Sequence, residues 1–167
     1  MTSDSVFIRL AKREDWPALW AILEPVFRAG ETYAIDRDIS ETDAQTFWLD
    51  LPTETYIAEL DGQLVGTYML KANQSGGGQH VANCGYIVDP AARGKGIARA
   101  LCEHSQAIAK TRGFRAMQFN FVVASNQGAI TLWRRLGFEE VGRLPNAFEH
   151  PILGLVDALI FYKWLDD

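Results

Sequence analysis

The sequence predicts a mixed α/β fold, one sheet with helices in the order β-α-α-β-β-β-α-β-α-β-β, on three observations. Short runs rich in β-formers alternate with stretches whose apolar residues recur every three to four positions. Asp61-Gly62 joins two adjacent strand runs, a strong hairpin signal. The stretch 81–99, VANCGYIVDPAARGKGIAR, passes from a buried-strand run through a glycine-rich turn into a helix start.

The elements follow in order. Residues 6–10 read as the first strand. From Arg13 the chain is helical, with Trp16, Leu19, Leu23, Val26 and Phe27 at helical spacing, until Gly30 ends it. Residues 31–39 form a polar and aromatic loop. Ser40-x-x-Asp43 starts a second helix, a short polar cap followed by an acid in the first turn, and Leu51-Pro52 stops it. Residues 55–60 and 63–71 are the hairpin strands, and the glycine-rich 73–79 is a loop. The fourth strand spans 81–88 and a long helix runs to about Gly113. The fifth strand is 115–123. Residues 126–136 are helical, with Ala129, Ile130, Trp133 and Leu136 on one face. Residues 138–143 and 156–164 are the last strands, and 144–155, with Pro145 and Pro151, is expected to be a loop between them.

Length and composition set outer bounds. A chain of 167 residues, 48% hydrophobic and 22% charged, fits a single globular domain over 1–167 with a sizeable core. No apolar run reaches the roughly 18 residues of a membrane span, and the N-terminus lacks a signal peptide's apolar stretch. The net charge of −5, without an interleaved basic patch, argues against nucleic acid as a partner. Cys84 and Cys102 have no metal-ligand spacing and read as buried reduced thiols of a cytoplasmic protein, so no metal is expected.

The turn after the fourth strand carries the chemistry. A glycine-rich turn opening a helix exposes unpaired N–H groups, and the helix dipole favours an anion there. Arg93, Lys95 and Arg99 crowd this end, where cations are normally disfavoured, and a resident polyphosphate would reverse that argument. The alternative is a tight turn with solvated basic residues. Gly, four residues and Gly-Lys-Ser/Thr is not found, which excludes a P-loop. The dinucleotide fingerprint fails at Arg99, where a small residue is needed. Arg93-x-x-Gly96-x-Ala98 does resemble the acyl-CoA pyrophosphate loop of the GCN5-related N-acetyltransferase (GNAT) superfamily. Asn126-x-x-Ala129 followed by Leu132-Trp133-Arg134-Arg135-Leu136-Gly137-Phe138 resembles that family's second signature. The element order matches the same core from end to end.

The resemblance implies a GNAT fold with splayed central strands, acetyl-CoA as acetyl donor, and a homodimer. It implies that Ile87, Val88, Arg93, Gly94, Lys95, Gly96, Ile97, Ala98 and Arg99 contact CoA. Asn126 would bond its arm and Ala129 would leave room for it. Asn126 also reads as a helix N-cap, and both roles can hold together. Many members carry a tyrosine at Trp133 that protonates the departing thiolate; an indole cannot replace it as an acid.

Acceptor residues are sought on the central strands. Alternation puts Met117, Phe119, Phe121 and Val123 on one face of the fifth strand, and Gln118, Asn120, Val122 and Ala124 on the other. Asn83 lies in line with Val81, Gly85 and Ile87. A mid-strand asparagine among apolar neighbours needs a hydrogen-bond partner, either a local bulge or a ligand. The segment from Phe119 onward resembles a GNAT subgroup that includes fungal N-acetyltransferases of toxic proline analogues. In that subgroup, residues matching Asn83 and Asn120 hold a small amino acid. Glu31, Tyr86 and Tyr162 are candidates for moving a proton, Glu31 being equally a solvated loop acid. Tyr33 and Phe148 could wall a pocket or belong to the core, and His150 lies in a loop that could reach the site. His80 and His104 share no spacing with it. The expected function is acetyl transfer to the amine of a small molecule, an amino acid or analogue. Acetylation of a protein N-terminus or lysine, and a non-catalytic acyl-CoA-binding module, are the alternatives.

Overall fold

The computed structural model describes residues 5–166. Seven strands form one sheet in the order β1-β2-β3-β4-β5-β7-β6, with β1 Phe7–Leu10, β2 Glu54–Leu60, β3 Gln63–Ala72, β4 Val81–Val88, β5 Ala116–Val123, β6 Glu139–His150 and β7 Gly154–Trp164. Among the described residues only β4 and β5 pair in parallel. Asp61 and Gly62, both with positive φ (52° and 76°), make the tight turn of the β2–β3 hairpin, as its sequence predicts.

Helices cover the sheet on both faces. The helix α1, Trp16–Ala29, ends at Gly30 in the left-handed region, φ 65°. The helix α2, Glu41–Gln45, is capped by the Ser40 hydroxyl, which accepts from the Asp43 N–H. Its last turn, Thr46–Asp50, widens so that Leu51 N–H reaches the Thr46 carbonyl. These two helices bury Leu19, Leu23, Phe27 and Trp48 with Ile57, Met69 and Ile87 on one face. The Trp48 indole N–H donates to Thr67 Oγ1, and Thr67 donates to the Tyr56 carbonyl, so the inner polar groups are paired. On the other face α3, Ile97–Thr111, and α4, Gln127–Arg135, bury Ile97, Leu101, Ile130 and Trp133 with Met117, Phe119 and Phe161. No described helix is long and apolar enough to cross a membrane.

Two sequence expectations are corrected. Residues 144–155 are not a loop: β6 runs on to His150, and only 151–153 turn before β7. The strand tolerates Pro145 because β6 is the sheet edge and the register shifts between Leu144 and Phe148, lifting Pro145 out of the ladder. Asn146, at φ 52°, donates its N–H to Asp157 Oδ1 within this bulge. The second correction concerns β5. A bulge between Phe119 and Val122 reverses its alternation. Val122 therefore joins Met117 and Phe119 in the α3–α4 core, while Phe121 packs edge-on against Phe148.

Candidate active site

The sheet opens in its middle. The parallel pairing of β4 and β5 covers only Val81–Ala116, Ala82–Met117 and Asn83–Gln118, although both strands run on to Val88 and Val123. On its other edge β4 stays paired to β3 throughout. Asn73 N–H to Val81 carbonyl and Asp89 N–H to Val65 carbonyl show that odd-numbered residues of β4 point their backbone groups toward β3. By the alternation of an antiparallel ladder, Tyr86 and Val88, past the last bridge to β5, direct theirs into the opening. One of these groups has a protein partner: the Tyr33 hydroxyl, from the α1–α2 loop, donates to the Tyr86 carbonyl at 2.8 Å. Gly85 makes room for it, since a β-carbon there would lie 3.2 Å from that hydroxyl.

Just past β4, Pro90–Ala92 forms one turn of 3-10 helix, capped by the Asp89 carboxylate. Gly94 and Gly96 follow with φ of 79° and 75°, conformations that turn successive amides inward. Gly96 is the N-cap of α3, and no side chain caps that end. The contrast with α4 is direct, because there the Asn126 side chain accepts from the Ala129 N–H. The sequence reading of Asn126 as an N-cap thus holds, and its side-chain N–H groups are left for other partners. Arg93 and Lys95 make no ion pair among the described residues, whereas Arg99 is engaged by Glu103 at 2.9 Å. Uncapped amides, two left-handed glycines and two unpaired cations fit a polyphosphate.

Trp133 lies beneath the opening and touches both strands that diverge. Its ring centroid is 5.1 Å from Tyr86 on β4 and 4.8 Å from Phe119 on β5. It is only 7% exposed. The indole N–H has no protein partner among the described residues. Among the described residues no buried side-chain nitrogen or oxygen is left unpaired, so this N–H reaches open space.

The remaining candidates separate by face. Asn83 is buried, and its Nδ2 donates to the Gln118 carbonyl at 3.0 Å, across the last pair before the strands part. Gln118 Nε2 donates to Asn120 Oδ1, and Asn120 donates to Asn73 Oδ1 at 2.6 Å. Tyr162 pairs with Gln118 on the adjacent strand and completes a polar row on that face. Tyr86 points the other way, into the α3–α4 core. Its hydroxyl is 2.6 Å from Ser105 Oγ, and burial pushes its pKa well above the ordinary value. Glu31 is exposed on its loop. The three proton-transfer candidates therefore do not converge on one point. Cys84 and Cys102 are buried free thiols, as expected, and desolvation pushes them up to about 12 and about 11.

Sequence reasoning missed the end of β6. Phe148 and His150 are its only buried residues, and they alternate as a strand demands. That alternation was the available signal, masked by Pro145 and Pro151. His150 Nδ1 accepts the N–H of both Ile152 and Leu153 at 3.1 Å and so ties down the hairpin tip.

This architecture, a mixed sheet opened beside an uncapped glycine-rich helix start, defines an acyltransferase of the acetyl-CoA-using kind. The sequence model of the acetyltransferase (GNAT) family matches residues 16–138, and the chain belongs to that family. It is 32% identical to the N-acetyltransferase aca1 of Schizosaccharomyces pombe over 151 residues, 79% of this chain and 71% of that protein. A GCN5-related N-acetyltransferase from Kribbella flavida superposes with a TM-score of 0.91 at 38% identity, covering 95% of this chain and 97% of that one. The fold also matches yncA from Salmonella typhimurium, whose structure holds its cofactor acetyl-CoA. There the TM-score is 0.84 at 21% identity, over 97% of this chain and 95% of that one. The protein is an N-acetyltransferase, and its acetyl donor is acetyl-CoA.

Proposed function

We propose that this enzyme transfers the acetyl group of acetyl-CoA to the amine of a small molecule, an amino acid or a close analogue. One observation carries the reading: two segments, one on each side, stand over the sheet opening. The loop after α1 touches β4 through Tyr33, and the end of β6 touches β5 through Phe148. An extended peptide would need an open cleft between them. The likeness to the fungal acetyltransferases of proline analogues supports the same class, and a fungal N-acetyltransferase is among the relatives.

Acetyl-CoA, when bound, supplies a reactive thioester. In this reading the amides from Gly94 to Arg99, with Arg93 and Lys95, hold its phosphates, and Asn126 and Ala129 border its arm. The N–H groups of Tyr86 and Val88, aimed into the opening, would stabilise negative charge developing on the acetyl carbonyl, as oxyanion-hole donors do. Ile87 turns its backbone groups to β3, so of the last two strand residues Val88 has the better access. The amine must lose a proton before it attacks. Tyr162 beside Gln118 is better placed to relay protons than Tyr86, whose hydroxyl is committed to Ser105. A thiol pKa of about 8.5 makes the released thiolate a tolerable leaving group without a tyrosine at position 133. The family likeness and the two reduced thiols support a cytoplasmic homodimer as the working form.

The test is CoA-thiol release against a panel of small amines, peptides and lysine-bearing proteins. Asn120→Ala should raise the KM for the acceptor and leave acetyl-CoA affinity nearly intact, a loss of roughly 1–3 kcal/mol for one polar partner removed. Turnover of peptides but of no small amine would overturn the acceptor class. Wild-type kinetics in Asn120→Ala with every accepted amine would remove Asn120 from the site.

A further inference from the structure

A cavity of about 500 Å³ lies between Gly30 and Arg37 on one side and Glu149, His150 and Ile152 on the other. That is the size of a small-molecule pocket. Its two walls are the segments that stand on the diverging strands. The loop from Gly30 to Arg37 reaches β4 through the Tyr33 hydroxyl, 2.8 Å from the Tyr86 carbonyl. The β6–β7 hairpin end reaches β5 through Phe148, whose ring centroid is 6.2 Å from that of Phe121. The cavity therefore lies between the two segments that reach the diverging strands.

Its lining has a definite chemistry. His150 is 9% exposed, and its Nδ1 accepts two backbone N–H groups. A ring nitrogen that accepts carries no proton, so the imidazole hydrogen sits on Nε2. Nε2 has no protein partner among the described residues. Since no buried side-chain nitrogen or oxygen is left unpaired among the described residues, Nε2–H meets open space, and His150 lines the cavity. Arg37 is fixed at its base, where Nε donates to the Arg28 carbonyl at 2.8 Å, while its terminal nitrogens have no partner among the described residues. A fork of guanidinium donors and an imidazole N–H lining one cavity is carboxylate-binding chemistry. Glu149 on the same wall makes no described ion pair, and it favours a positive group beside the bound anion.

We infer that this cavity is the carboxylate subsite of the acetyl acceptor, with Arg37 and His150 Nε2–H as its donors, and that the acceptor is a small zwitterion. The inference rests on the acetyl-transfer reading above. It separates acceptors sharply: an amino acid brings a carboxylate next to its amine, whereas a protein N-terminus brings a neutral amide and a lysine side chain brings neither.

The experiment compares each of several amino acids with its primary amide and its decarboxylated amine. Two quantities are read: kcat/KM with acetyl-CoA, and calorimetric binding to the protein saturated with CoA. The acids should exceed their amides by roughly 10- to 100-fold in the wild type, the range for a hydrogen bond to a charged group. Arg37→Gln should collapse that ratio through KM, and Arg37→Lys should restore part of it. Amides or decarboxylated amines used as well as the acids would overturn the inference, as would a ratio unchanged by Arg37→Gln. If Arg37→Gln does not fold, the acid-to-amide comparison in the wild type decides alone. If no amine releases CoA, the acetyl-transfer reading falls. Amino-acid binding abolished by Arg37→Gln would then still uphold the subsite, and no binding would overturn it.

Discussion

Gly96 occupies the left-handed region at φ 75° as the N-cap of α3, with nothing within 4 Å of where its β-carbon would be. The conformation, not crowding, demands glycine. Gly96→Glu adds backbone strain and a negative charge where an anion must sit. Acetyl-CoA affinity by calorimetry should fall below detection while the fold, by circular dichroism, persists; unchanged affinity would defeat the phosphate assignment. Trp133 is the second residue with a sharp outcome. A general acid contributes typically 10²–10⁴-fold. Trp133 packs between Tyr86 and Phe119, so Trp133→Phe, which keeps that packing, should cost less than about tenfold in kcat. A loss of a hundredfold or more in the folded variant would give the indole N–H a part in the chemistry.

Among the elements, α3 is placed by a glycine on a strand it faces. Gly66 of β3 would, with a β-carbon, stand 3.0 Å from Ile97 Cγ2, 3.1 Å from Leu101 Cδ1 and 3.3 Å from the Ile87 carbonyl. The first turn of α3 thus rests directly on the sheet backbone. Gly66→Ala must push that turn outward, and overpacking of this kind typically costs about 1–3 kcal/mol. Thermal unfolding should show the loss of stability, and acetyl-CoA affinity should fall with it, because the displaced turn carries the amides proposed to hold the phosphates. Unaltered affinity at reduced stability would mean that α3 shifts without its N-terminus. The long β6–β7 hairpin is the other element that matters. Its bulge at Pro145 and its tip held by His150 set the height of the wall above β5.

For the whole molecule, acid is the informative perturbation. The Arg9 guanidinium donates twice to Asp15 at 2.9 Å and holds its carboxyl below the ordinary carboxylate range. Burial lowers His104, whose Nδ1 is 2.8 Å from the Tyr68 hydroxyl. Both groups have folded-state values depressed below the unfolded ones, so in both cases the unfolded chain binds more protons as pH falls. The stability each contributes is present above its unfolded value. That of His104 is lost first, below about pH 6.5, and that of Asp15 later, below about pH 4. Urea unfolding should therefore show a two-stage decline toward acid, and His104→Gln should flatten the upper stage alone. A pH-independent midpoint between 7 and 5 would refute the His104 assignment.

Much of this protein was legible in the order of its residues. Asp61-Gly62, Gly30, Ser40 and Asn126 act within a few positions of themselves, through φ preference and side-chain caps, and each does in the structure what its local chemistry dictates. The glycine turn after β4 was legible for the same reason, since an uncapped helix start is a local property. Asn83 and Gln118 are different. That the two strands part after them, exposing one edge of β4, depends on pairing between residues 35 apart. The bulge in β5 and the passage of β6 through Pro145 depend on register with β7, which no periodicity within one strand reports. The cavity under His150 is the extreme case, because its two walls, Gly30–Arg37 and Glu149–Gly154, are more than a hundred residues apart in the chain. Local sequence determined where most elements begin and end and where a helix starts without a side-chain cap. Only the tertiary structure decided which side chains share the space above the opening, because long-range packing and strand register are set by the burial of whole faces and not by any residue's own preference.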